Sequence, residues 1–93
     1  MIIGLRTVEI FIPLSQSLKE KRMVLRRIKD RVKSKLNVSY AEIDHQDKWQ
    51  RTCLSFVTVA NTRLDVDKRL EKVMEIILSD DRVQILEVES DYL

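Results

Sequence analysis

The chain of 93 residues is 44% apolar and 34% charged at a formal net charge of +2, which suits one globular domain and excludes two independent cores. No apolar run approaches the roughly 20 residues that cross a bilayer, and the segment from Met1 to Ile12 lacks the basic start and small-residue cleavage site of a signal peptide. A single cytosolic domain over residues 1–93 is therefore expected, and the one cysteine, Cys53, excludes an intrachain disulfide and reads as a small buried hydrophobe.

Residues Ile2 to Ile12 are rich in β-branched and apolar side chains and are closed by Pro13, the pattern of a first strand. Ser17 followed three residues later by Glu20 makes a capping box. The helix it opens buries Leu18, Leu25, Ile28, Val32 and Leu36 and ends at Asn37. Val38 to Asp44 and Thr52 to Ala60 form the next two strands, an antiparallel hairpin joined by a polar connection over 45–51. Thr62 caps a second helix from Arg63 to about Leu78, with Val66, Leu70, Val73 and Ile77 repeating at helical spacing. Arg82 to Glu89 makes a fourth strand with Glu87 and Glu89 facing outward. The order predicts an α+β fold: a ferredoxin-like βαββαβ sandwich with a four-stranded antiparallel sheet and both helices on one face.

In such a sandwich the second sheet face meets water, so its strands should alternate apolar with polar. The first strand does not comply. Ile2, Val8, Ile10 and Ile12 point one way, while Ile3, Leu5 and Phe11 point the other; Val57 and Val59 likewise oppose Leu54 and Phe56. An apolar open face predicts a cover, most simply a second copy, and hence a homodimer.

The charge is distributed unevenly. Nine of the seventeen basic residues lie between Ser17 and Leu36 against only Glu20 and Asp30, so this segment is +7 and the remainder −5. At about 100° per residue, Lys19, Arg22, Arg26, Lys29 and Lys33 form one stripe along the helix, with Arg27 and Arg31 on another flank. The second helix is nearly charge-balanced by comparison. A one-signed cationic rod predicts a polyanion partner, RNA or a ribosomal particle. The competing account is a solvated face, or one answered by Asp80, Asp81, Glu87, Glu89 and Asp91.

Base-specific reading by the sheet is not expected. In an RNA-recognition motif the first and third strands supply stacking aromatics, whereas here Leu54 and Val59 occupy ring positions and Thr52 replaces the basic residue. The loop from Asp44 to Arg51 is the densest polar cluster. Its acids and His45 fall short of the three or four converging ligands a metal needs. Asp47 is expected to start a turn and Trp49 to cover the core edge or join a subunit contact, with Asp47, Trp49 and Arg51 as the candidate interaction residues. No glycine-rich phosphate loop, nucleophile elbow or paired carboxylates are present, so the sequence points to no catalytic residues and no cofactor.

The run Ser17, Leu18, Lys19, Glu20, Lys21, Arg22, then Leu25, Arg26, Arg27, Ile28, then Asn37, Val38, Ser39, and later Glu42, Asp44, Gln46, Asp47, Trp49, Gln50, Arg51 resembles the YlxP-like family of small bacterial proteins that carry a domain of unknown function. The resemblance covers nearly the whole chain and implies a ferredoxin-like fold. In several bacteria the genes of this family lie beside those for translation initiation and ribosome maturation factors, which implies work on RNA or the ribosome. It supplies no catalytic residues. Two other functions stay open at this stage: a protein adaptor that uses the apolar sheet face and the Trp49 loop, and a dimeric small-ligand sensor.

Overall fold

A computed structural model describes all residues, 1–93. The elements are β1 (Ile2–Phe11), α1 (Leu18–Lys35), β2 (Ser39–Asp44), β3 (Arg51–Ala60), α2 (Arg63–Leu78) and β4 (Gln84–Tyr92). The four strands form one antiparallel sheet in the order β2-β3-β1-β4. The fold is the expected ferredoxin-like sandwich.

Period-two alternation decides which face meets the helices. Val8, Ile10 and Ile12, with Leu54 and Phe56 from β3, form one buried cluster with Val24, Ile28 and Val32 of α1 and Val66, Leu70, Val73, Ile76 and Ile77 of α2. At Gly4 the backbone of β1 approaches α2 so closely that an added Cβ would sit 2.2 Å from Val66 Cγ1. Glycine is the residue that permits this contact.

Caps set the helix boundaries as the sequence predicts. Ser17 Oγ accepts from the Glu20 backbone N–H at 3.1 Å, and the Glu20 carboxylate accepts from the Gln16 N–H at 2.5 Å. Thr62 Oγ1 accepts from the Asp65 N–H at 3.2 Å. Of the apolar residues expected on the inner side of α1, Ile28 and Val32 are buried and Leu25 and Leu36 pack at its margin. The unexpected occupant is Lys21, only 1% exposed.

β4 is shifted from the expected 82–89. Arg82 remains in the preceding turn because its backbone N–H and its guanidinium both donate to Asp80. At the other end the strand continues through Tyr92, whose hydroxyl donates to Asp67 of α2 and whose ring lies 4.0 Å beneath the Arg63 guanidinium. Those tertiary partners hold a segment whose sequence resembles an acidic tail.

The helices divide the sheet between them. α1 lies toward the β2 edge, where Lys21 pairs with Glu42, and α2 toward the β4 edge, where Arg6 of β1 pairs with Glu71 and Tyr92 meets Asp67. The opposite sheet face has no layer over it. Ile3 and Leu5 are half-buried there, while Val57 and Val59 of β3 stay 39% and 47% exposed.

Candidate nucleic-acid interface

The cationic stripe begins with helix geometry. Lys19, Arg22, Arg26, Lys29 and Lys33 are all exposed, and the fourteen rises of 1.5 Å between the first and the last give a run of about 21 Å along α1. The ion pairs of the molecule join Arg6 to Glu71, Lys21 to Glu42, Arg51 to Glu9 and Arg82 to Asp80, and the His45 ring contacts Glu9 and Asp44. None involves a stripe residue. The acids of β4 are elsewhere: Glu87, Glu89 and Asp91 pair in register with Glu9, Thr7 and Leu5, which places them on the open face at the far edge of the sheet.

The flanking cations differ from the stripe. Arg31 donates from Nη1 to Ser79 Oγ at 2.6 Å, at the C-terminal end of α2. Arg27 lies close enough to that corner to act on Asp80. The Arg82 guanidinium is the main cause that holds the Asp80 carboxyl below its ordinary range, burial opposes it, and Arg27 adds a smaller pull. Both arginines therefore lean toward α2, and the stripe of five is the freer surface.

Lys21 is the exception within the basic segment. Its ammonium donates to Glu42 Oε2 at 2.9 Å and to the His45 carbonyl at 2.6 Å, and Glu42 also accepts from Thr52 Oγ1 at 2.5 Å. A buried cation persists when paired and hydrogen-bonded in this way. Helical spacing puts Lys21 in line with Leu18, Leu25, Ile28 and Val32, so its inward position has a local signal, whereas its partners come from distant parts of the chain.

Lys21 also ties α1 to the loop that holds the other expected site residues. His45 adopts a left-handed backbone, φ 63°, with its N–H bonded to Asp44 Oδ1 at 2.7 Å and its Nε2 2.6 Å from Glu9 Oε1. Gln50 donates to the Pro13 and Ser15 carbonyls at 3.0 and 3.1 Å. The turn is closed by the Lys48 N–H, which donates to the His45 carbonyl at 3.0 Å, and the local side-chain bond comes from Asp44, whereas Asp47 is exposed within the turn. Trp49 is 55% exposed beside Phe11, Lys48, Gln50 and Arg51. Arg51 is 3.1 Å from Glu9 and so is already neutralised.

Glu9 joins this loop to the open sheet face. Burial pushes its pKa up, but hydrogen bonds from Cys53 and His45 and the charges of His45 and Arg51 outweigh that and hold it below the ordinary carboxyl range. Cys53 answers in the opposite direction: burial, followed by Glu9, Asp44 and Glu89, pushes its thiol up to about 11. Such a thiol stays protonated and is a poor nucleophile.

A feature invisible in the sequence lies where α1 meets β2. Lys29 Nζ sits 5.7 Å from the centre of the Tyr40 ring, and that ring also stacks on Phe56 at 5.8 Å and 20°. Lys29, Val32, Lys33, Val38, Ser39 and Tyr40 enclose a hollow of about 300 Å³. Burial, with smaller contributions from Asp30 and Glu42, raises the Tyr40 pKa above its ordinary value, so the phenol is neutral.

Comparison with known proteins adds the family. The family described as "Protein of unknown function (DUF503)" matches residues 3–90. A Bacillus subtilis (strain 168) relative described as "Uncharacterized protein YlxP" is 45% identical over 76 residues, 82% of this chain and 83% of the relative. Among solved structures, the de novo designed protein Foldit4 superimposes over 100% of this chain and 97% of its own at a TM-score of 0.54 and 16% identity, a likeness of fold. A putative PII-like signaling protein from Thermus thermophilus aligns over 99% of this chain and 90% of its own at a TM-score of 0.36 and 20% identity.

Proposed function

We propose that this chain, which belongs to the DUF503 family of proteins of unknown function, binds RNA, free or within a ribosomal particle, through Lys19, Arg22, Arg26, Lys29 and Lys33 and performs no chemistry on it. One observation carries the proposal: five exposed cations lie in line without a single carboxylate partner. Solvation alone does not require that arrangement, because the long side chains of α2 are solvated with the two signs mixed. Along a phosphate backbone each contacting cation releases counterions, so binding should weaken steeply with salt.

The test is titration of RNA at several salt concentrations against the triple variant Lys19→Glu/Arg22→Glu/Arg26→Glu. All three side chains are exposed, so the fold should survive. Affinity should fall by roughly a hundredfold or more, with a shallower salt slope, since each lost phosphate contact removes about 0.7–0.9 from it. A folded variant that binds as the parent does removes the proposal.

The open sheet face supports a second reading, self-association. Val57 and Val59 are exposed beside Ile3 and Leu5, and the same face carries Arg51 on β3 and Glu87, Glu89 and Asp91 on β4. A twofold pairing sets the apolar patch of one copy on that of the other and removes both from water. Light scattering decides it: a homodimer at micromolar concentration supports this reading, and a strict 11.0 kDa monomer returns the face to an adaptor role.

A further inference from the structure

We infer that the hollow between α1 and β2 receives one unpaired nucleotide of the bound RNA, so that the ligand class is RNA with single-stranded character and not a plain duplex. This rests on the RNA reading of the stripe and narrows it.

Four observations converge. Two of the five stripe residues, Lys29 and Lys33, form one wall of the hollow, so a backbone that follows the stripe passes its mouth. Tyr40 lines the hollow as well, its ring stacked on Phe56 and its centre 5.7 Å from the Lys29 ammonium. A lysine on a flexible stem can swing from the ring to a phosphate, and its departure uncovers an aromatic face for a base, the sequence-tolerant stacking that single-strand binders use. Third, β2 is an edge strand, so alternate residues direct unpaired backbone N–H and C=O groups outward beside Ser39 and Tyr40, partners for a base edge. Finally, about 300 Å³ lies at the lower bound of ligand pockets, about 300–1,000 Å³, a size that suits one nucleotide. The paired alternative fails on shape: a rigid duplex can lie along the stripe but cannot turn a base into the hollow without unpairing it.

The experiment compares a single-stranded RNA of roughly ten nucleotides, a site size typical of single-strand binders, with the duplex of the same sequence. Parent, Tyr40→Leu, Tyr40→Phe and the stripe triple variant are each titrated with both. The parent should prefer the single strand. Tyr40→Leu should lose roughly tenfold on the single strand and little on the duplex, Tyr40→Phe should behave as the parent, and the triple variant should lose both ligands. Equal losses of Tyr40→Leu on the two ligands, or none, overturn the hollow and leave the stripe standing. A parent that binds neither RNA overturns both. Should Tyr40→Leu fail to fold, ultraviolet crosslinking of single-stranded RNA to the parent chain decides instead: adducts on the peptide that holds Tyr40 support the inference, and adducts confined to other peptides overturn it.

Discussion

At the scale of single residues, the distinction that matters is between cations that have partners and cations that do not. Lys21 and Arg22 are sequence neighbours, yet one is buried against Glu42 and the His45 carbonyl and the other faces water. Composition cannot separate them, because the Lys21 site is assembled by β2 and the 45–50 loop, far along the chain. The carboxylates follow the same logic and yield a pH prediction. Glu9 and Asp80 both titrate lower in the folded chain than their ordinary values. A carboxyl with a depressed folded pKa adds stability that is complete above its unfolded pKa, about 4, and is lost as the pH falls through the folded value. Thermal melts should therefore drop on acidification below about pH 5, and Glu9→Gln/Asp80→Asn should flatten that dependence. An acid slope identical to the parent's would mean that other carboxyls carry it.

At the scale of elements, most of the fold was legible because local chemistry and tertiary packing agree. Ser17 and Thr62 start their helices where capping predicts, and the even-numbered residues of β1 and β3 face the core as their alternation requires. β4 begins two residues later and ends three residues later than its sequence pattern predicts. Its boundaries depend on Asp80 holding Arg82 in a turn and on Asp67 and Arg63 holding Tyr92, contacts with no local signature. The hollow beside Tyr40 was unreadable for the same reason, since it needs α1 and β2 side by side. The contact of β1 with α2 offers the sharpest packing test. A methyl group at Gly4 would meet Val66, fully buried, at 2.2 Å and Leu70 at 3.2 Å. Valine is β-branched and stiff at χ1, so it cannot simply turn aside. Overpacking of this kind costs about 1–3 kcal/mol, more than the roughly 0.5–1 kcal/mol that replacing a strand glycine returns. Gly4→Ala should melt lower by roughly 5 °C or more, and Gly4→Ala/Val66→Ala should recover part of the loss relative to Val66→Ala alone. An unchanged Gly4→Ala melt would show that the two elements can separate at little cost.

For the molecule as a whole, the sheet acts as a divider between two signs of charge. The free cations stand on the outer side of α1 near the β2 edge, and Glu87, Glu89 and Asp91 stand on the open face at the β4 edge. A polyanion approaching the open face meets repulsion, whereas a second copy meets the apolar patch around Val57 and Val59. If copies pair through that face, four layers separate the two stripes. With layers about 10 Å apart, the stripes face outward roughly 30 Å or more from each other. A short oligonucleotide cannot reach both, so each protomer should bind it independently. Val57→Asp/Val59→Asp should then convert a dimer to a monomer by light scattering while its affinity for a short RNA, per protomer, stays within about twofold of the parent. On a long RNA the same variant should weaken by roughly tenfold or more, because the second stripe no longer acts at high effective concentration. Loss of short-RNA binding in the monomeric variant would mean that the two surfaces are coupled, and that the RNA site is completed by the partner copy.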